Sequence, residues 1–267
     1  MADREHINYD TAEGIRRSSL WAIAKSPYHF KYEEEHPKEE TSDLSFGIAA
    51  HKYILEKEDF WDEYKISPEV NKRTKVGKET WEAFVLQCAM ENKIPIDPAS
   101  MAQIEAMDKA IDAFPLAREL LTGIHEEPFF WVDEKTGEKC KCKPDCRTVY
   151  DDKPIIVDYK TTRSCEDGHF ERSVRDYGYK LQAGMYCEGV FVNTFEEHGF
   201  AFVAQEKTAP YAVRVYICAP EFIYEGQDMF HDLLTIYHDC KESGKWYGYE
   251  GPFGLPSTLE GEYYRGD

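Results

Sequence analysis

The stretch "KPIIVDYKTT", residues 153–162, decides how the rest of the sequence is interpreted. Its apolar run from Ile155 to Val157 is typical of a buried strand, and Asp158, Tyr159 and Lys160 follow directly. Successive side chains of a strand point to opposite faces, so Asp158 and Lys160 are expected to point the same way. The stretch therefore predicts an acid and an amine side by side at the end of a buried strand.

The preceding segment, "KCKCKPDCR" (139–147), adds a second acid. Its residues divide by parity into a polar set and a set that contains Pro144 and three cysteines; the polar set is Lys139, Lys141, Lys143, Asp145 and Arg147. If the segment is one strand, the polar set faces a cleft and the cysteines point inward as small hydrophobic residues. Two adjacent strands would then bring Asp145, Asp158 and Lys160 together.

Two interpretations of this arrangement stay open from the residues alone. Converging carboxylates repel each other unless a cation lies between them, and oxygen ligands of this kind suit Mg²⁺ or Mn²⁺. A neighbouring amine can orient water or neutralise a phosphate. Alternatively, Asp158 and Lys160 form an ordinary surface ion pair at the end of a strand.

The composition predicts one large domain over residues 1–267, because 42% hydrophobic residues in 267 suffice for one substantial core. Hydrophobic periodicity predicts a helical N-terminal part at about 13–122, a sheet-bearing core at about 123–245 and an irregular C-terminal tail. The predicted helices are 18–35 (interrupted at Pro27), 42–60, 78–92, 99–114, 169–190 and 220–241; the predicted strands are three within 127–162, then 199–205 and 211–218. This order indicates an α/β (α+β) fold with a central mixed sheet flanked by helices.

The charge pattern limits the classes of partner. A net charge of −19 argues against a simple nucleic-acid coat protein, since DNA repels an acidic surface. Local basic patches, such as "NKRTKVGK" (71–78), are compatible with a confined anionic substrate or with ordinary solvated faces. No run is long enough to span a bilayer, and the N-terminus lacks a secretory signal, so a cytoplasmic protein without membrane contact is expected.

The eight cysteines are expected to be reduced thiols in that compartment. The C-x-C-x3-C spacing of Cys140, Cys142 and Cys146 lacks the second paired cluster that is typical of structural zinc.

Several motifs together resemble one nuclease superfamily. Pro144-Asp145, twelve intervening residues and then Asp158-Tyr159-Lys160 resemble the PD-(D/E)xK signature. "FGIAAHKYILE" (46–56) and "LQAGMYCEG" (181–189) are similar to the histidine helix and the Gln-x3-Tyr helix of its RecB-like branch. Together with 71–84 and 137–145, they resemble the RecE-type recombination exonuclease (exonuclease eight). The resemblance runs from about residue 13 to near the C-terminus.

The resemblance implies a restriction-endonuclease-like core and roles for single positions. His51, one helical turn after Gly47, matches the metal-binding histidine, and a glycine there would permit close backbone approach. Asp145 and Asp158 match the metal-binding carboxylates, and Lys160 matches the catalytic lysine.

Further positions follow from the same resemblance. Gln182 and Tyr186 match residues that border the active site, and the carbonyl of Tyr159 would complete the metal shell. Glu126 is favoured over its neighbour Glu127 as an additional acid, by alignment with the strand that contains Trp131.

The implied activity is a Mg²⁺- or Mn²⁺-dependent exonuclease that digests linear double-stranded DNA from the 5′ end and leaves a 3′ strand for recombination. Implied partners are DNA ends, a single-strand annealing protein, and further copies of the chain in a toroidal trimer or tetramer of phage or prophage origin. No iron–sulfur cluster is expected, since no cysteine precedes Cys88. Expected DNA contacts are Arg73, Lys75, Lys78, Lys143 and Arg163, and more weakly Arg16 and Arg17.

Two other functions stay open: an endonuclease or junction resolvase on the same fold, and a non-catalytic DNA-binding module. The presence of His51, Asp145, Asp158 and Lys160 together favours an enzyme, because a binding module does not need all four.

Overall fold

The computed structural model describes residues 8–36 and 42–254. The helices are α1 (Arg17–Lys25), α2 (Pro27–Glu35), α3 (Ser42–Leu55), α4 (Phe60–Glu63), α5 (Lys75–Glu91), α6 (Pro98–Asp112), α7 (Pro115–Leu120), α8 (Asp167–Asp176), α9 (Tyr179–Thr194) and α10 (Pro220–Ser243). The strands are β1 (Tyr64–Ile66), β2 (Ile94–Ile96), β3 (Ile124–His125), β4 (Phe129–Val132), β5 (Lys139–Cys142), β6 (Cys146–Tyr150), β7 (Lys153–Thr162), β8 (Gly199–Glu206) and β9 (Val213–Ile217).

A five-stranded mixed sheet in the order β3-β6-β7-β8-β9 lies at the centre. β7 runs parallel to β8 and antiparallel to β6, while β8 runs antiparallel to β9. Two small two-stranded sheets, β1-β2 and β4-β5, lie apart from it. The predicted α/β class with a central mixed sheet flanked by helices is therefore confirmed.

Alternation along β7 and β8 divides the core into two clusters, one on each face of the sheet. Ile156 and Phe202 belong to the cluster that contains α9 and α10. Val157 and Val203 belong to the cluster that contains α3, α6 and α7. The sheet thus separates two hydrophobic layers, and side chains at the ends of its strands lie between them.

Local signals explain where several helices begin. Pro27 occupies the first turn of α2, and the Ser26 side chain accepts a hydrogen bond from the His29 amide, so the chain restarts there as predicted. Thr74 caps α5 in the same way through the Gly77 amide. These caps satisfy backbone donors that a helix start would leave without a partner.

The segment predicted to be helical over about 169–190 is helical, but it is divided into two helices, α8 and α9. Gly178, between them, has a left-handed backbone with φ of 67°. A β-carbon at Gly178 would lie 2.4 Å from the ring of Trp21. Because Trp21 belongs to α1, the packing of α1 also requires glycine at this position.

The prediction of one strand across 139–147 is also wrong. β5 pairs with β4 in a small sheet, whereas β6 belongs to the central sheet. Pro144 lies in the break, where it fixes the backbone and cannot donate to a ladder. Lys141, expected to face a polar cleft, is instead buried at 4% exposure, and its Nζ donates to the carbonyl oxygens of Tyr9 and Ala12.

Some shorter elements were not predicted. The segment 127–162 contains four strands instead of three, and β1, β2, β3 and α7 have no counterpart in the sequence prediction. On α5, Phe84 and Cys88 are buried as the helical stripe predicted, but Val85 is exposed at 40%.

Candidate active site

The β6–β7 hairpin places the two predicted acids opposite each other. Its antiparallel register ends with Cys146 beside Val157, so Asp145 and Asp158 are the next residues on the two arms. The Tyr159 amide donates a hydrogen bond of 2.8 Å to Asp145 Oδ2. The hairpin turn lies at Asp151-Asp152, as predicted, and both residues have left-handed φ angles, 50° and 58°.

Asp158 is completely buried and its two oxygens have different neighbours. Oδ1 lies 2.5 Å from Lys160 Nζ, in an ion pair without the angle of a directed hydrogen bond. Oδ2 accepts a hydrogen bond from Gln182 Nε2 on α9. The Lys160 ammonium also lies 4.9 Å from the ring centroid of Tyr179. The pair lies side by side as strand parity predicted, but it is not a surface ion pair.

His51 and Glu126 approach Asp145 from other elements. His51, on α3, places Nε2 at 2.8 Å from Asp145 Oδ2 and Nδ1 at 3.7 Å from Glu126 Oε1. Glu126 lies in the loop after β3, with a left-handed φ of 52°. Its other oxygen, Oε2, lies 2.5 Å from Lys143 Nζ. Glu127 points elsewhere and pairs with Arg147.

Mutual electrostatics set the protonation of these groups. Burial and the nearby Asp145 charge raise the pKa of Asp158 to about 6, although Lys160 opposes the shift. For Asp145, burial also acts upward, but attraction and hydrogen bonding from His51 outweigh it and lower the pKa. Burial acts to lower the pKa of His51, yet Asp145 and Glu126 raise it to about 9.

Lys160 stays protonated for the same reason. Burial disfavours its charge, but Asp158 and Asp145 more than compensate, and the pKa of Lys160 is raised above the usual lysine value.

The chemistry of these donors fits a divalent metal. One ligand atom from each of His51, Glu126 and Asp145 lies within 4.8 Å of the other two. Close by, the buried Gln182 Oε1 has no hydrogen-bond donor, and Asp158 Oδ1 has the ion pair with Lys160 as its contact. Carboxylate and imidazole donors beside a buried acceptor without a donor are a set that suits Mg²⁺ or Mn²⁺.

A cavity of about 710 Å³ opens onto these groups. Its lining includes His51, Glu126, Asp145 and Lys160. It also includes Tyr159, whose carbonyl is a predicted ligand, and Tyr186 on α9. Six of the predicted site residues therefore surround one space: His51, Glu126, Asp145, Tyr159, Lys160 and Tyr186. Asp158 contacts Lys160, and Gln182 contacts Asp158. Their catalytic and ligand roles stay predictions.

Gly47 also lines the cavity, but not for the reason that its position suggested. A β-carbon at Gly47 would lie 3.8 Å from Thr161 Oγ1, which is ordinary van der Waals contact. The expectation of a close backbone approach at Gly47 is therefore wrong.

The predicted DNA contacts divide by location. Lys143 lines the cavity, and the exposed Arg163 follows the end of β7. The segment that carries Arg73, Lys75 and Lys78 forms the start of α5 and is not part of the cavity lining that the described residues provide. Arg16 precedes α1, and Arg17 donates to the Tyr177 carbonyl oxygen.

One wall of the cavity was not predicted from the sequence. Tyr9 and Asp10, in the stretch 8–16 that we call the N-terminal strap, line it. The strap is held by Lys141 and by a backbone bridge between Ile15 and Cys140. No motif marks this contact, because it depends on a pairing between residues more than a hundred positions apart.

The three clustered cysteines are buried, as predicted, and do not converge. Cys140 and Cys142 belong to the cluster around α9 and α10, whereas Cys146 belongs to the cluster on the other face of the sheet. Burial raises the pKa of the Cys146 thiol to about 12. These residues act as small hydrophobic side chains in the core.

Among the described residues, no helix has the length and apolar character that a membrane crossing requires.

Comparison with known proteins identifies the same superfamily. A crystal structure from Eubacterium rectale, described as a "Putative exonuclease", matches with a TM-score of 0.59 at 15% identity, over 97% of this chain and 96% of that chain. The crystal structure of SSO0001 covers 82% of this chain and 86% of its own at 14% identity, but its TM-score of 0.31 supports no conclusion. No curated protein matches the sequence.

The first of these similarities shows the fold alone, because the identity is low. A sequence family described as a PDDEXK-like domain of unknown function (DUF3799) matches residues 17–252, which is most of the chain. The match includes the histidine helix, both acids of the hairpin, Lys160 and the Gln182 helix. The chain therefore belongs to the PDDEXK-like family DUF3799, within the PD-(D/E)xK superfamily.

Proposed function

We propose that the protein is a metal-dependent nuclease that hydrolyses DNA phosphodiesters, and specifically an exodeoxyribonuclease. The observation that carries the proposal is the convergence of His51, Asp145 and Lys160 on one cavity, with Asp158 held directly behind. A group of this composition has no role in packing, since two buried acids so close together oppose folding unless cations accompany them. The exonuclease description of the Eubacterium rectale protein is consistent with the specific activity.

Each side chain has a role in this proposal that its surroundings explain. His51, Glu126 and Asp145 would hold the metal, with Asp158 and the Tyr159 carbonyl as further ligands. A bound divalent metal would supply Lewis-acid polarisation of the phosphodiester. Gln182 fixes one oxygen of Asp158 by donating to it, so the carboxylate is oriented before substrate arrives. Tyr186, on the next turn of α9, would limit where the substrate backbone lies.

Lys160 would act as a cation and not as a general base. Its pKa is raised by Asp158 and Asp145, so the amine carries its proton at neutral pH. A fixed positive charge beside the scissile group stabilises the negative charge that develops in the transition state.

The finer features of the proposal follow from the RecE-type resemblance. They are Mg²⁺ as the metal, 5′ to 3′ digestion of linear duplex DNA, a toroidal trimer or tetramer, cytoplasmic action in a bacterial host, and cooperation with a single-strand annealing protein. A ring would reconcile the net charge of −19 with DNA binding, because acidic residues could lie outside and basic residues inside. Arg73, Lys75, Lys78 and Arg163 are candidates for the inner surface.

Cleavage assays on matched linear and circular duplexes test the proposal. We expect Mg²⁺-dependent loss of linear DNA, no loss of covalently closed circles, and full inhibition by EDTA. Labels on the 5′ and 3′ ends report the polarity. Nicking of circles would instead indicate an endonuclease, and the absence of any cleavage with Mg²⁺ or Mn²⁺ would indicate a binding module.

An Asp158→Asn variant separates the proposed site from contaminating activity. Removal of one metal-ligand charge at an equal side-chain volume should lower cleavage by about 10³-fold or more, since such electrostatic groups supply several kcal/mol. Asp152→Asn, in the exposed hairpin turn, is the matched control and should cleave normally. Full activity of Asp158→Asn would place the active site elsewhere.

A further inference from the structure

Lys143, one of the predicted DNA contacts, lies directly against a candidate metal ligand. Its Nζ lies 2.5 Å from Glu126 Oε2 and 5.5 Å from the ring centroid of Tyr9. The side chain is 34% exposed and lines the active-site cavity. It immediately precedes Pro144-Asp145 in the break between β5 and β6.

The two oxygens of Glu126 have different partners. Oε2 faces Lys143, while Oε1 lies 3.7 Å from His51 Nδ1, and the other ring nitrogen of His51, Nε2, contacts Asp145. The Glu126 amide donates to the Asp145 carbonyl oxygen at 3.3 Å, which fixes the backbone beside that acid. Glu126 and Asp145 carry like charges and repel each other, so the carboxylate would turn away from the site unless something held it there.

We propose that Lys143 is a positioning residue that acts through Glu126. Its ammonium holds Oε2 and thereby directs Oε1 toward the cation site formed with His51 and Asp145. The inference rests on the proposed metal-dependent function, but it concerns metal binding and can be tested without cleavage.

The N-terminal strap also contacts the Lys143 side chain, through the ring of Tyr9. Tyr9 lies under Lys143, and the Tyr9 carbonyl oxygen accepts a 2.7 Å hydrogen bond from the buried Lys141. An aromatic face near an ammonium restricts where that ammonium rests. Lys143 is therefore held between Tyr9 and Glu126, and its position does not depend on substrate.

A competing account makes the opposite prediction. If Lys143 merely occupied the metal position until a cation displaced it, its removal would free Glu126 and tighten metal binding. If Lys143 positions Glu126, its removal weakens metal binding, because side chains that orient metal ligands contribute about 10- to 100-fold to affinity. The sign of the change in Mn²⁺ affinity decides between the two.

The experiment is calorimetric titration of Mn²⁺ into the whole protein without DNA. We expect Lys143→Met to weaken Mn²⁺ binding by about 10-fold or more, and Lys143→Arg to recover most of the loss because it retains a donor for Oε2. Lys135→Met, at an exposed position in the turn between β4 and β5, is the matched control and should bind as wild type. Circular dichroism confirms that each variant is folded.

A double-mutant cycle tests whether the effect passes through Glu126. In a Glu126→Gln background, Lys143→Met should weaken Mn²⁺ binding no further. Unchanged or tighter binding by Lys143→Met, or a full additional loss in the double variant, would overturn the proposal, as would a wild-type protein that binds no Mn²⁺. Mn²⁺ binding without DNA cleavage would instead contradict the proposed nuclease activity and leave the role of Lys143 standing.

Discussion

Asp158 has no exposed surface, and its ionised form depends on the neighbouring Lys160. Burial and Asp145 raise the pKa of Asp158 to about 6 in the folded chain, from an ordinary value near 3.8. The folded state therefore binds this proton more tightly than the unfolded state does. The ionised Asp158 disfavours folding above pH 6, and this cost disappears as the pH falls from 6 toward 4.

The raised pKa of His51 predicts that metal binding releases a proton. The pKa is about 9, so the imidazole is protonated at pH 7.5 in the metal-free protein. A histidine must be neutral to ligate a metal, so Mn²⁺ should displace about one proton per chain at pH 7.5. Affinity should rise with pH until about pH 9 and then level off.

Calorimetry in two buffers with different ionisation enthalpies measures this proton. Equal heats of Mn²⁺ binding in the two buffers would mean that His51 is not charged in the metal-free protein, or is not a ligand.

Strand alternation was enough to predict that Asp158 and Lys160 lie side by side, because the periodicity of a strand is local. The placement of Asp145 opposite Asp158 was also predictable from the hairpin, although the strand that was thought to carry Asp145 breaks at Pro144. The contact between Tyr9 and Lys143 could not be predicted. Their contact depends on where the N-terminal strap crosses β5, and nothing in the local sequence specifies that crossing.

At the scale of elements, α9 and α10 cross at a pair of glycines. A β-carbon at Gly184 would lie 2.1 Å from the Gly226 backbone, and one at Gly226 would lie 2.2 Å from the Lys180 carbonyl oxygen. The two helices therefore approach more closely than any other residue allows. This contact packs α9, the helix that carries Gln182, closely against α10.

We expect Gly184→Ala to destabilise the fold by about 3 kcal/mol, because overpacking at a backbone contact has no side chain that can move away. Gly168→Ala on α8 is the matched control. A β-carbon there meets nothing within 4 Å, so the change should stabilise the protein by about 0.5–1 kcal/mol. Chemical denaturation of both variants provides the comparison, and equal stability would contradict the close helix crossing.

The anchor of the N-terminal strap gives a second prediction at this scale. Lys141→Met keeps the aliphatic stem but leaves the carbonyl oxygens of Tyr9 and Ala12 without their donor. Loss of such a buried partner costs about 1–3 kcal/mol, and the loss should be confined to the strap. Hydrogen exchange of the Ile15 amide, which donates to the Lys139 carbonyl oxygen, should become faster while exchange in β7 is unchanged.

Unchanged protection at Ile15 would show that Lys141 is not the anchor. Lys135→Met, at an exposed position in the turn between β4 and β5, should leave exchange in the strap as it is in the wild-type protein.

The longest elements could be predicted from hydrophobic period and caps, and the short ones could not. α10 and the strands β8 and β9 lie close to their predicted limits, because each carries a sustained pattern. β1, β2 and β3 have three residues or fewer, too short for a period to be recognised. The break between α8 and α9 required the position of Trp21, which comes from a distant helix.

For the whole molecule, the candidate site draws on both hydrophobic layers that the sheet separates. His51 belongs to a helix packed in one layer, and Gln182 belongs to a helix packed in the other. Asp145 and Glu126 lie in loops at the sheet edge between them. A metal held by His51, Glu126 and Asp145 would thus connect α3 to these loops, and Asp158, to which Gln182 donates, would link the metal to α9.

Saturating Mn²⁺ should therefore raise the melting temperature of the entire chain. At a concentration 100 times the dissociation constant, binding to the folded state alone adds about 2.7 kcal/mol. For a chain of this size, the increase corresponds to about 5–10 °C. Thermal denaturation with Mn²⁺ and with EDTA measures it, and Glu126→Gln should reduce the increase. An identical melting temperature in both conditions would contradict a metal site between the layers.

The predicted site residues also span a long stretch of the chain, from His51 to Tyr186. If the polypeptide were cut at the exposed Asp151-Asp152 turn, one fragment would keep the imidazole and Asp145, and the other would keep Asp158, the lysine and the amide. Neither fragment could cleave DNA by itself. If the proposed cleavage activity holds, its recovery on mixing would require the two pieces to reassemble the severed hairpin, so the protein could be divided into a split reporter whose signal measures the reunion of its halves.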